Sequence, residues 1–157
     1  MLTLSHYTET EGAFRFAAIY AQHPHNAKPQ GLWLSADGPH DWPAWCKDEN
    51  YCLEKLRWRH VFEIVKPNRI MHLTKGYELD AMTMRFPPND APAPLRAWTL
   101  DWRAIAETTG GLLIAPYQWS RRLNDNTRWY YGWDCASGCV WDLSALRLVR
   151  SEPFDVD

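Results

Sequence analysis

No stretch of this chain approaches the roughly 18 consecutive apolar residues that a membrane-spanning helix requires, so no span is expected. The opening residues, Met1-Leu2-Thr3-Leu4-Ser5-His6, lack the basic and apolar regions of a secretory signal, and a cytoplasmic location is expected. Charge of one sign is missing too: 17 Lys and Arg against 19 Asp and Glu leave a formal net charge of -2. That balance excludes a broad cationic field able to hold any phosphate backbone, so a nucleic-acid partner needs a local basic patch. The four cysteines, Cys46, Cys52, Cys135 and Cys139, are too few for a disulfide scaffold in 157 residues. Their spacing misses the paired pattern of zinc ribbons, so no metal is expected and they read as small buried hydrophobes. No internal repeat is visible.

What the chain does have is tryptophan, ten in 157 residues. An indole is large and rigid, and such an excess suggests stacking on a ligand as well as a core built on big residues. Leu2, Leu4, His6 and Tyr7 predict a short opening strand. Thr8 with Glu11 makes a capping-box signature for a helix carrying Phe14, Ala17, Ala18 and Ala21 on one face, ending before Pro24. After a polar loop, Gly31-Leu32-Trp33-Leu34-Ser35 reads as a buried strand. Asp41 caps a helix through Trp42, Trp45 and Cys46 to Tyr51, with Pro43 in its first turn. Alternation in residues 57–65 puts Trp58, His60, Phe62 and Ile64 on one face of a strand and Arg57, Arg59 and Glu63 on the other. Further elements are a strand over residues 69–73, a helix over 76–86 with Leu79 and Met82 inward, and a helix capped by Asp101 and closed by Gly110. Residues 112–114, 127–131, 138–141 and 146–149 are all strand-like. Helices are short and do not alternate regularly with strands, which argues for one α+β domain over residues 1–157 with mainly antiparallel sheets.

The order of three short motifs carries a resemblance. His6-Tyr7-Thr8 ends the first strand, Gly31-Leu32-Trp33-Leu34-Ser35 follows, and Tyr51 lies near a helix end. Ser137-Gly138-Cys139-Val140-Trp141-Asp142-Leu143-Ser144-Ala145-Leu146 then follows the rhythm of a closing strand, an aspartate-headed turn and a last strand. Together these resemble the His-Tyr-Glu class of the ADP-ribosyltransferase superfamily. The resemblance implies a split sandwich of two small, mainly antiparallel sheets with short flanking helices, binding NAD as substrate in a cleft between them. It further implies transfer of ADP-ribose to a macromolecular acceptor, protein or nucleic acid, in a toxin or defence setting. His6 would orient the ribose and Tyr51 stack on nicotinamide, with Tyr7, Gly31, Trp33, Ser35 and Trp42 lining the cleft. Ser137 stands where the family has its catalytic glutamate, and the nearest acid is Asp134. An uncharged serine there weakens support for the positive charge that develops as nicotinamide leaves. A non-catalytic module that sequesters a nucleotide or protein in a Trp-rich cleft is therefore the rival reading.

Read without the family, His6 fits a satisfied, half-buried histidine, Tyr51 a helix-end residue, and Ser35 a strand-end hydroxyl opening a turn. The segment 133–139 concentrates small and reactive residues that permit close approach of a ligand. Trp119, Arg121, Arg122 and Arg128 interleave bases with aromatics, a composition suited to target or nucleotide contact, and equally to cation–π pairs in a solvated loop. Trp58, Trp98 and Trp102 are expected in the core. Trp33, Trp42, Trp45 and the set from Trp129 to Trp141 are expected beside the cleft.

Overall fold

A computed structural model describes residues 2–156. The chain forms β1 (Leu4–Thr8), β2 (Leu32–Ala36), α1 (Trp42–Glu49), β3 (Trp58–Ile64), β4 (Ile70–Leu73), α2 (Gly76–Arg85), α3 (Trp102–Thr108), β5 (Gly111–Ile114), α4 (Trp119–Arg122), β6 (Ser137–Val140) and β7 (Leu146–Pro153), joined by short 3-10 turns. The seven strands make a single sheet in the order β4-β5-β6-β2-β1-β3-β7, in place of the expected pair of sheets. Only β4 and β5 run parallel. This is a mixed α+β domain with a mainly antiparallel sheet, and no helix of the described residues is long and apolar enough to cross a membrane.

The helix starts follow the sequence closely. Asp41 caps α1 by accepting from the Ala44 amide at 3.0 Å, and Asn50 in the left-handed region stops it. Asp101 caps α3 in the same way through Ala104 at 3.0 Å. On α2, Leu79 and Met82 face inward and are buried.

Two elements depart from expectation. Residues 9–31 contain neither helix nor named strand. Phe14, Phe16 and Ala18 are partly buried, while Ala13, Arg15 and Ala17, which alternate with them, are exposed, which is the period of extended chain. Phe14 packs edge-on against Phe62, centroids 5.0 Å apart, and Phe16 lies 6.3 Å from the same ring. Packing both phenyl rings against Phe62 removes more apolar area than a helical face of Phe14, Ala17, Ala18 and Ala21, which would leave Phe16 off it. The Thr8 hydroxyl, the expected helix cap, donates instead to the Thr10 carbonyl at 2.5 Å and meets His60 Nε2 at 2.7 Å. The second departure is Asp125–Gly132, a kinked 3-10 segment where a strand was expected; Asn124 caps it by accepting from the Asn126 amide at 2.9 Å. It buries Thr127, Trp129 and Tyr130 and leaves Arg128 and Tyr131 outside.

The core contains Trp102, Trp129, Trp133 and Trp141. Trp141 belongs to it, and not to the cleft side where the sequence put it: its Nε1 donates to the Thr109 carbonyl at 2.7 Å. Trp98, expected inside, is exposed, and Trp58 is only partly buried.

Candidate functional site: a cavity at the β1–β2 seam

The β1–β2 ladder contains only two residue pairs, Leu4 with Ala36 and Ser5 with Ser35, whereas β1 pairs with β3 over five residues from Leu4 to Thr8. Beyond Ser5 the two strands part, and a cavity of about 360 Å³ opens there. That volume falls within the range of small-molecule sites, roughly 300–1,000 Å³. Its wall includes His6 and Tyr7 from β1, Trp33 and Ser35 from β2, Trp42 from α1, and Asp134 and Ser137 from the last third of the chain. Seven of the residues expected around the cleft thus surround one space.

Where the ladder ends, the His6 side chain takes over. Its Nδ1 lies 2.7 Å from the Trp33 carbonyl, an acceptor only, so Nδ1 carries the hydrogen and Nε2 is left as an acceptor. Burial holds the imidazole below its usual pKa despite that bond and in concert with nearby His60, which favours the neutral ring. Behind it, His60 is locked between the Thr8 hydroxyl and the Ser151 hydroxyl, 2.8 Å from its Nδ1. Thr8 spends its own hydrogen on Thr10, so His60 donates from Nε2 and accepts from Ser151 at Nδ1.

A row of serines crosses the floor. Ser5 pairs with Ser35 and Ser35 with Ser137 on three adjacent strands, and all three are buried. Each hydroxyl is engaged: Ser5 donates to Asp37 and accepts from Arg59, Ser35 accepts from the Trp42 amide at 2.8 Å, and Ser137 donates to the Cys135 carbonyl at 3.0 Å. Arg59 also pairs with Asp37 and Glu152, so an ion-pair network backs Ser5. Burial pushes the Tyr7 phenol up to about 12, keeping it a neutral donor.

Asp134 is the carboxylate of the wall. Burial raises its pKa, against the opposing pull of Lys28 and Arg122. Lys28 also lines the cavity, with Nζ 5.3 Å from the Trp33 ring centroid. Ser5, Lys28 and Gly132 were not anticipated as wall residues. Ser5 was foreshadowed by its place beside His6 on one strand, whereas Lys28 sits in a polar loop whose sequence carries no such signal.

Other expected site residues lie elsewhere. Tyr51 does not line the cavity; α1 has ended, the ring is 50% exposed, and it rests edge-on against Trp42 and Trp45 at 6.2 and 5.5 Å. Gly31 does not line it either, and its lack of a side chain serves packing: a Cβ there would stand 2.4 Å from the Val140 carbonyl oxygen. Arg121 is held by Asp80 through two bonds of 2.8 Å, tying α4 to α2. Arg122 stacks over Tyr131, and Arg128 over Trp98 while also pairing with Asp125. Trp119 is exposed, edge-on to His40 and Tyr117. All four cysteines are free, and burial pushes the Cys46 and Cys135 thiols up to about 12, which disfavours a thiolate nucleophile at neutral pH. Among the described residues no three His, Cys, Asp or Glu side chains converge as metal ligands.

No family model matches the chain, and neither a curated protein nor a solved structure matches it.

Proposed function

We propose that the cavity binds NAD and that the protein is an ADP-ribosyltransferase acting on a macromolecular acceptor. The observation that carries this reading is the convergence of His6, Trp33, Trp42 and Asp134, far apart in sequence, on one cavity with aromatic walls and few charges. NAD would supply ADP-ribose joined to a good leaving group, nicotinamide.

The residues present fit such a group. His6 Nε2 accepts a hydrogen bond from a ribose hydroxyl, fixed in that role because Nδ1–H is committed to Trp33. Trp42 and Trp33 line the cavity and would stack on the nicotinamide ring, so stacking moves from Tyr51, which is outside the wall, to these indoles. Trp42 is itself braced by Trp45, stacked at 5.0 Å and 13°. Asp134 faces the positive charge that develops at the ribose carbon as nicotinamide departs with the bonding electron pair. An acceptor oxygen or nitrogen forms the new bond to that carbon, and its proton passes to Asp134 or to solvent. Ser137 does not replace a carboxylate, because it is uncharged and its hydrogen is committed to Cys135. Lys28 offsets the charge of Asp134 and presents an ammonium to the phosphates.

Incubation with NAD radiolabelled in nicotinamide tests the reading. Wild type should release free nicotinamide, and Asp134→Asn should slow release by about 10²–10³-fold, the usual cost of removing one electrostatic partner of a developing charge. Neither release nor labelled product from wild type would remove the enzyme. The serine at the acid slot specifically favours one alternative, a nucleotide-binding module without turnover; calorimetric NAD binding with no release by wild type would establish it.

A further inference from the structure

Beside the cavity lies a surface that the transfer chemistry leaves unused. In the segment Asp125–Gly132, Tyr131 is 47% exposed and meets Trp98, 43% exposed, with centroids 6.1 Å apart. A guanidinium lies over each ring: Arg122 at 5.7 Å from Tyr131 and Arg128 at 5.6 Å from Trp98. The strip adjoins the cavity: Gly132, Trp133 and Asp134, which follow Tyr131 in the chain, form part of its wall, and Arg122 lies close enough to act on the Asp134 carboxylate. Trp119, 56% exposed, lies on the short helix that carries Arg122.

We infer that this strip binds single-stranded nucleic acid and presents it as the acceptor at the neighbouring cavity. The assignment as acceptor rests on the transferase reading; the binding itself does not. Exposed indole and phenol rings are costly to leave in water, and each ring–guanidinium layer offers a flat face on which an unpaired base can stack. The guanidiniums supply phosphate contacts at the same positions. Among the described residues Arg122 forms no ion pair, and Arg128 is held by Asp125, which is 85% exposed, so a phosphate competes for it in high dielectric. Duplex DNA is disfavoured on two grounds: its bases are already stacked, and a chain of net charge -2 lacks the field that duplex backbone binding needs. In the transfer, a nitrogen or oxygen of an unpaired base bonds to the ribose carbon of NAD, nicotinamide leaves with the electron pair, and the base gives up one proton.

Fluorescence anisotropy with a labelled oligodeoxythymidine, in about 50 mM salt, tests the strip. Wild type should bind, an unlabelled single strand should compete better than a duplex, and R122E/R128E should weaken binding at least about tenfold and lower the salt slope by about two. W98A serves as a second variant should the charge reversal disturb folding, and it should weaken binding by about fivefold or more through lost stacking. R147E/R150E, with the same net change on β7, should bind as wild type does. No binding, equal competition by duplex, or equal loss in R147E/R150E would overturn the proposal, as would a labelled protein acceptor with no oligonucleotide binding. Wild-type NAD calorimetry reads the cavity separately: oligonucleotide binding without NAD binding sinks the transferase reading alone, and the reverse sinks the strip alone.

Discussion

Replacing Gly31 by alanine should damage the site through the sheet, without any contact to a ligand. A Cβ at residue 31 would stand 2.4 Å from the Val140 carbonyl oxygen, 2.8 Å from its carbonyl carbon and 2.9 Å from Cys139 Sγ. Two of these atoms are backbone of β6, whose Val140 pairs with Leu32, so no side-chain rotation relieves the clash. Reaching even 3.0 Å from the oxygen requires the strands to move apart by 3.0 − 2.4 = 0.6 Å. Overpacking of this kind costs about 1–3 kcal/mol. In a chain of this size each kcal/mol lowers Tm by about 2–4 °C, so thermal unfolding followed by circular dichroism should show a fall of roughly 2–12 °C. Gly12→Ala is the matched control, because its Cβ would meet nothing closer than 3.6 Å. It should leave Tm unchanged or raise it slightly by restricting the unfolded chain. Gly31→Ala should also weaken NAD binding, since Trp33 lies two residues along the displaced strand. A Tm within about 1 °C of wild type would refute the packing argument.

Other outcomes follow from the same structure. Trp141→Phe should cost about 1–3 kcal/mol by stranding the buried Thr109 carbonyl, while leaving NAD affinity intact; calorimetry and denaturant titration check the two halves separately. His6 and His60 are both held below their usual 6.5 by burial, so the unfolded chain binds more protons. Their contribution to stability should be complete above about pH 6.5 and decline as pH falls toward the lower folded values; urea midpoints at pH 7.5 and pH 5.5 measure this, and His60→Gln should flatten the trend. Tyr51→Ala should weaken NAD binding less than Trp42→Ala in parallel calorimetric titrations, since only Trp42 lines the cavity.

Much of the architecture was legible because local chemistry agreed with tertiary packing. Asp41 and Asp101 cap their helices, Leu79 and Met82 mark an inward face, and the strands over residues 58–64, 70–73 and 111–114 lie where their apolar runs put them. The failures arose where two periods competed in one segment. Phe14 belongs both to a helical set with Ala17, Ala18 and Ala21 and to an extended set with Phe16 and Ala18; contact with Phe62, distant in sequence, favours the extended set. Residues 127–131 are aromatic enough for a strand, but Asn124 starts a 3-10 turn that buries Trp129 and Tyr130 together. The grouping of His6, Trp33, Trp42 and Asp134 was legible only through the order of weak motifs. Lys28 and the pairing of Ser5, Ser35 and Ser137 across three strands were not, because strand neighbours and loop paths are set by the whole sheet.

The most direct test of the central claim is the crystal structure of Asp134→Asn grown with NAD. The account predicts nicotinamide between the indoles of Trp33 and Trp42, a ribose hydroxyl within hydrogen-bond distance of His6 Nε2, and residue 134 beside the scissile bond. NAD bound elsewhere, or an unliganded cavity at saturating NAD, would contradict it.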